Sequence, residues 1–164
     1  KHQLQHHPIL PDAVTERCLM FKHLLIATDG SDIASKALTE GVNLAKTLGA
    51  KITIVTVSDT FAGTVPVEVA IAYPFDVYEK ACEENANKVL SQATAIVQAQ
   101  GMTCEVVHVK QQPPAEGIVE TAVSRSCDLI VMGSHGYRGI RRFMLGSQAD
   151  RVITHSQKSV LICR

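Results

Sequence analysis

Five short apolar runs, separated by stretches of helical periodicity, limit what this chain can fold into. Leu24-Leu25-Ile26-Ala27 is the first and Ile52-Thr53-Ile54-Val55-Thr56-Val57 the second; residues 104–109, 129–132 and 160–163 follow. Runs that are apolar at nearly every position, not every second one, need cover on both faces of a sheet. Between the first two, Ala34, Ala37, Leu38, Gly41, Ala45 and Leu48 mark one face of a helix, and Gly49 ends it. Further helices are predicted from about Phe75 to Gln100, from Ala115 to Ser126 after Pro113-Pro114, and from Ser147 to about His155. Buried strands alternating with helices predict an α/β fold with a parallel sheet and right-handed crossovers. Residues 58–74 form a longer connection carrying Gly63, Pro66 and Pro74. No internal repeat is visible, so one domain is expected over residues 20–164. Residues 1–19 hold three His and two Pro without sustained periodicity. They read as an N-terminal extension, flexible or appended.

Composition removes several classes of function. The chain has 164 residues, 46% of them hydrophobic and 20% charged, which fits one ordinary globular domain. Aromatics make up 4% and Trp is absent, so a base-stacking surface for single-stranded nucleic acid is not expected. Lys and Arg total 16, matching 16 Asp and Glu, and no global field favours DNA or an anionic membrane. No apolar run is long enough for a bilayer, and the start lacks the apolar core of a signal peptide. The five cysteines form no C-x-x-C pair, as expected of reduced, buried thiols in a cytoplasmic protein. The histidines have no metal-binding spacing.

The chemistry concentrates after the fourth run. Gly133-Ser134-His135-Gly136 follows it, and after nine intervening residues Gly146-Ser147 stands at a helix start. Glycine lets a backbone come close to a ligand. The first N–H groups of a helix have no partner within it, and with the helix dipole they attract an anion such as phosphate. Arg138, Arg141 and Arg142 add positive charge, and Ser147 with Asp150 reads as a capping box for the helix start. The plainer alternative is a glycine-rich turn before a capped helix. Neither a G-x-x-x-x-G-K-[ST] run nor a G-x-G-x-x-G after the first strand is present, which argues against P-loop and dinucleotide-binding enzymes. Asp29, in Thr28-Asp29-Gly30-Ser31 after the first strand, faces the glycine loop, caps the next helix, or does both. His135 is read as exposed or as a group near phosphates, and Tyr73, Phe75 and Tyr78 as apolar cover at a helix start or, alternatively, as groups lying over a ligand. Asp59 and Glu68 have no partner that sequence can assign.

Gly133-x-x-Gly136-x9-Gly146-Ser147, together with Thr28-Asp29-Gly30-Ser31, resembles the ATP-binding branch of the universal stress protein family. The resemblance runs from Met20 to Arg164 and includes Asp128–Gly136 and the last strand, Val160-Leu161-Ile162-Cys163. It implies an adenine nucleotide alpha hydrolase-like α/β fold, with helices on both faces of a five-stranded parallel sheet of order 3-2-1-4-5. It also implies ATP (or ADP or AMP) between the first and fourth strands, with Mg²⁺ held mainly through the phosphates. Carried over by motif, Asp29 and the backbone of Val57 would meet the adenosine, and Met132 and Gly133 would lie by adenine and ribose. Gly136, Gly146, Ser147 and Gln148 would hold phosphates through backbone N–H groups and the Ser147 hydroxyl. A homodimer through the C-terminal strand is implied, and no nucleic acid or membrane partner. Gln148 departs from the small apolar residue common at its position, and Ser159 from a frequent Pro. The implied function is a nucleotide-dependent signalling or protective module; the alternative is a slow ATP hydrolase or an autophosphorylating enzyme. No catalytic base and no metal-ligand set is assigned. A phosphoacceptor receiver domain would need an Asp ending the third strand, where Val107-His108-Val109-Lys110 stands.

Overall fold

Apolar strands with no polar face can only form the middle of a layered structure, and that is where β1 lies. The computed structural model describes residues 21–60, 75–136 and 145–164. The elements in chain order are β1 (His23–Ala27), α1 (Asp32–Leu48), β2 (Lys51–Val57), α2 (Phe75–Ala99), β3 (Glu105–Val109), α3 (Pro114–Ser124), β4 (Leu129–Gly133), α4 (Ser147–His155) and β5 (Ser159–Cys163). The five strands form one sheet of order β3-β2-β1-β4-β5, with every pairing parallel. Fold class and strand order are those the sequence reading anticipated, and element ends differ from it by no more than two residues. The extension before residue 21 lies outside the described residues. So do Gly63, Pro66, Glu68, Tyr73 and Pro74 in the long connection, and Arg138, Arg141 and Arg142 in the glycine loop.

Alternation along the strands sorts the core into two layers. Leu24, Ile26, Ile52, Ile54 and Val131 face α1 and α2, packing with Leu38, Val42, Leu90 and Val97. Leu25, Val55, Ile130 and Met132 face α3 and α4, packing with Ile118, Ala122 and Val152. Leu24, Leu25, Ile26, Ile130 and Val131 are fully buried.

Helix α1 is fixed at both ends. Ser31 is its N-cap and accepts from the Ala34 N–H at 3.3 Å. Gly49 ends it with φ +66°, a left-handed conformation that costs glycine little, and returns its N–H to Ala45 and Lys46 carbonyls. Midway, Gly41 lets the helix settle onto the sheet: a Cβ there would lie 2.9 Å from Ile26 Cδ1 and 3.2 Å from Val131 Cγ1. At the opposite end of the strands from the glycine loop, Asp128 ties β1 to the turn before β4. Its carboxylate accepts from the Lys22 N–H at 2.8 Å and the His23 N–H at 3.2 Å, and its own N–H donates to the His23 carbonyl at 2.9 Å.

The chain leaves β1 toward β2 and later returns on the other side through β4. Connections diverging from neighbouring strands leave a crevice beyond their carboxyl ends. Here it opens past Ala27 and Gly133.

Because α1 packs through Gly41, Gly41→Val should destabilise the domain by about 1–3 kcal/mol through overpacking. Asn43→Val, at an exposed position of the same helix, carries only the helix-propensity penalty of a few tenths of a kcal/mol. Thermal melts of both variants check this; equal melting temperatures would mean that α1 does not depend on the close approach.

Candidate functional site

The crevice is a cavity of about 640 Å³ at the carboxyl ends of β1, β2 and β4. All eight residues singled out from the sequence line it: Asp29, Val57, Met132, Gly133, Gly136, Gly146, Ser147 and Gln148. They come from four separate parts of the chain.

Asp29 sits where β1 turns into α1. Its Oδ1 accepts from the Ser31 N–H at 3.0 Å, while Ser31, not Asp29, caps α1. Asp29 therefore braces the cap residue, and its carboxylate also faces the cavity. A Cβ added to Gly136 would lie 2.5 Å from Asp29 Oδ2. Carboxylate and glycine loop thus approach each other closely at Gly136, where a side chain would require Asp29 to move.

Ser134 pins the start of that loop. It is buried, donates its N–H to the Cys163 carbonyl at 2.7 Å and accepts from the Gly146 N–H at 2.9 Å. The loop is thereby tied to β5 on one side and to the start of α4 on the other. Gly146 has φ −66°, which any residue adopts, so space and not backbone freedom requires glycine there. Its Cβ would meet Ser134 O at 2.9 Å and His135 Cα at 3.3 Å. Because its N–H is already donated to Ser134, Gly146 contributes room at the cavity, not the donor anticipated from the motif.

The expected capping box is not formed. Gly146 is the N-cap of α4 and no side chain caps that helix. Ser147 already lies within the first turn, one residue too late for its hydroxyl to close the box with Asp150. The first intrahelical bond runs from the Asp150 N–H to the Gly146 carbonyl at 2.9 Å. The amides of Ser147, Gln148 and Ala149 precede it in the turn and have no helical acceptor. All three residues line the cavity.

The Gln148 side chain turns to another helix. Its Oε1 accepts from the Ala115 N–H at 3.1 Å, in the first turn of α3. That helix starts with Pro113 at its N-cap and Pro114 after it, and neither side chain caps it. Gln148 supplies the missing acceptor in trans, which a small apolar residue cannot do.

The remaining walls were harder to foresee. Tyr78, Ala81, Cys82 and Asn85 line the cavity from α2, at the spacing of one helical face. That face mixes Tyr, Ala, Cys and Asn, so it carries no distinct apolar stripe in the sequence. The Tyr78 hydroxyl donates to the Asp59 carbonyl at 3.2 Å, and Asp59 itself lines the cavity. Pro114 and Ile118 of α3 close the apolar side with Met132. His135 lines the cavity half-buried, its Nδ1 3.1 Å from Ser134 Oγ. Phe75 is exposed and is not part of the wall. Among the described residues no cluster of His, Cys, Asp or Glu is suited to a metal ion. Cys82, Cys104, Cys127 and Cys163 carry free thiols. Burial and then the Asp128 charge push Cys127 up to about 11; burial and then Glu40 push Cys163 up to about 12. Both stay protonated near neutral pH and are poor nucleophiles.

The universal stress protein family model matches residues 20–164. A universal stress protein from Thermus aquaticus is 34% identical over 148 residues, covering 88% of this chain and all of the relative. A universal stress protein structure from Lactobacillus plantarum is similar with TM-score 0.73 and 26% identity, covering 87% of this chain and 97% of the other. The same fold occurs in an Archaeoglobus fulgidus universal stress protein in complex with dAMP, with TM-score 0.63, 24% identity, and coverage of 88% and 99%. The chain belongs to the universal stress protein family.

The trans contact of Gln148 predicts a graded response. Gln148→Ala leaves the Ala115 N–H without its acceptor and should lower stability by about 0.5–1.5 kcal/mol. Gln148→Glu keeps an acceptor oxygen near two helix N-termini and should retain most of it. Chemical denaturation of the two variants separates these outcomes.

Proposed function

We propose that this chain is an adenine-nucleotide-binding module of the universal stress protein family, acting in the cytoplasm through nucleotide-dependent changes of shape or partner. The observation that carries the reading is the convergence of Asp29, Gly136 and the first turn of α4 on one cavity where added side chains would collide. Phosphates would meet the amides of Ser147 and Gln148, the Ser147 hydroxyl and the backbone at Gly136, with the positive end of the α4 dipole behind them. Mg²⁺ would be held mainly through the phosphates. Met132 and Gly133 would lie along adenine and ribose, and Asp29 would accept from a ribose hydroxyl. The dAMP held by a protein of the same fold supports an adenine nucleotide as the ligand class.

The peptide of Val57 is suited to the base. The Thr28 N–H donates to the Val55 carbonyl, and the Ser58 N–H to the Val109 carbonyl. Alternate peptides of β2 therefore point to opposite neighbours. Those of Val57 point toward β1's side, beyond the residue where β1 ends. A donor and an acceptor side by side match the edge of a purine. No residue is assigned as a base to activate water, so binding is favoured over turnover; steady-state phosphate release above background would make the chain a slow hydrolase instead.

We assign the domain to residues 20–164, with 1–19 as an extension, and propose a homodimer through β5. That strand is the sheet edge next to β4, and Leu161 on it is 37% exposed. An apolar edge strand invites pairing, and a twofold partner closes it. Light scattering on the full chain and on a chain starting at Met20 should give a dimer mass for both. A monomer mass for both would refute the dimer, and a dimer seen only after truncation would show that the extension shields the edge.

Calorimetric titration tests the site. Gly136→Val and Gly146→Val should lose measurable binding of ATP and ADP with Mg²⁺ while circular dichroism keeps the native spectrum. Asp29→Ala should weaken binding about tenfold or more, equivalent to roughly 1.4 kcal/mol. Unchanged affinity in the two glycine variants would overturn the reading. A lowered melting temperature with unchanged affinity in Asp29→Ala would leave Asp29 a purely structural brace.

A further inference from the structure

One corner of the cavity is not explained by the glycine loop. Ser58 lines it, directly after Val57, and its Oγ lies 2.8 Å from Nε2 of His108 on β3. The Ser58 main chain is held on both sides: its N–H donates to the Val109 carbonyl at 2.8 Å, and its carbonyl accepts from the Gln112 N–H at 3.3 Å. Only the hydroxyl is left to turn, and His108 engages it. Burial holds His108 below its ordinary range; Lys110 adds to this and Glu83, facing it from α2, opposes it. The imidazole is therefore neutral at pH 7. The direction of this bond depends on the tautomer of the ring. With the proton on Nδ1, Nε2 accepts the Ser58 hydroxyl proton, and Ser58 offers only lone pairs to the cavity. Beside them stands the Val57 peptide, and in that tautomer the two make a short hydrogen-bonding edge of fixed polarity.

We propose that His108 takes the tautomer with its proton on Nδ1 and that Ser58 is thereby a specificity-determining residue of this cavity: its hydroxyl oxygen accepts from the exocyclic amino group of a 6-aminopurine and disfavours 6-oxopurines. His108 is the positioning residue. A 6-oxopurine sets a carbonyl lone pair against the Ser58 lone pairs, and a site that leaves buried polar groups unmatched discriminates strongly. Protonated His108 can only donate, so in acid Ser58 turns its proton toward the cavity and the preference weakens. The proposal rests on the nucleotide reading above.

The test compares ATP, dATP and inosine triphosphate by calorimetry with Mg²⁺, at pH 7.5 and pH 5. Affinity ratios cancel the titration of the phosphates, which the three ligands share. Wild type should prefer ATP over inosine triphosphate at least about tenfold at pH 7.5, the scale of one mismatched buried acceptor, with a smaller ratio at pH 5. Ser58→Ala and His108→Ala should lower the ratio severalfold at pH 7.5 and remove its difference between the two pH values, the Val57 peptide keeping the remainder. Ser58→Thr and His108→Gln, which keep a hydroxyl and an acceptor, should restore much of it. An unchanged ratio in Ser58→Ala would overturn the proposal while leaving nucleotide binding intact. A loss of dATP affinity relative to ATP that Ser58→Ala abolishes would assign Ser58 to the sugar and also overturn it. If no triphosphate binds wild type, the nucleotide reading itself fails, and this inference with it.

Discussion

The parallel pairing of β1 with β4 is the constraint from which the rest follows. Leu24 pairs with Leu129, Leu25 with Ile130 and Ile26 with Val131, and all six side chains are buried. Two strands with no polar face must lie at the centre, covered by helices on both sides. The chain leaves each of them in a different direction, so among the described residues no element fills the space beyond their carboxyl ends. The cavity is a consequence of that topology. Asp128 holds the opposite end of the same pair, fixing how far the strand ends reach toward the crevice.

What lines the cavity is governed by close approach more than by backbone freedom. The positive-φ glycines among the described residues are Gly30, Gly49 and Gly101, and neither Gly136 nor Gly146 is among them. At both of those positions an added Cβ would meet an oxygen: Asp29 Oδ2 for Gly136 and Ser134 O for Gly146. The buried Ser134, bonded to β5 and to the start of α4, keeps the loop at that distance. The first turn of α4 therefore faces the cavity, and helix N-terminal amides in such a position attract an anion.

Polar side chains at the rim join elements that sequence separates. Gln148 of α4 completes the first turn of α3, where two prolines leave no local cap. Tyr78 of α2 holds the Asp59 carbonyl, and His108 of β3 holds Ser58. Such bonds contribute modestly to stability one at a time. Their larger effect is to fix neighbouring elements to one another at the point where they meet the cavity.

The sequence alone determined the layered α/β fold, the five strands and the glycine pattern. Hydrophobic periodicity is local and survives in the primary structure, as Leu24–Ala27 and the helical face from Ala34 to Ala45 show. It also marked Asp29 and the Gly133–Ser147 segment, because turn and loop chemistry is written in residue type. Tertiary structure decided the rest. Ser147 reads as a cap, yet the helix begins one residue earlier than a box requires, since Gly146 is pinned to Ser134 by a bond twelve residues back along the chain. The cavity-facing side of α2, Tyr78, Ala81, Cys82 and Asn85, is too mixed in character to stand out in sequence. Ser58 and His108 meet only because β2 pairs with β3, 50 residues apart. Contacts across such separations depend on which strands become neighbours, and no local pattern of residues encodes that.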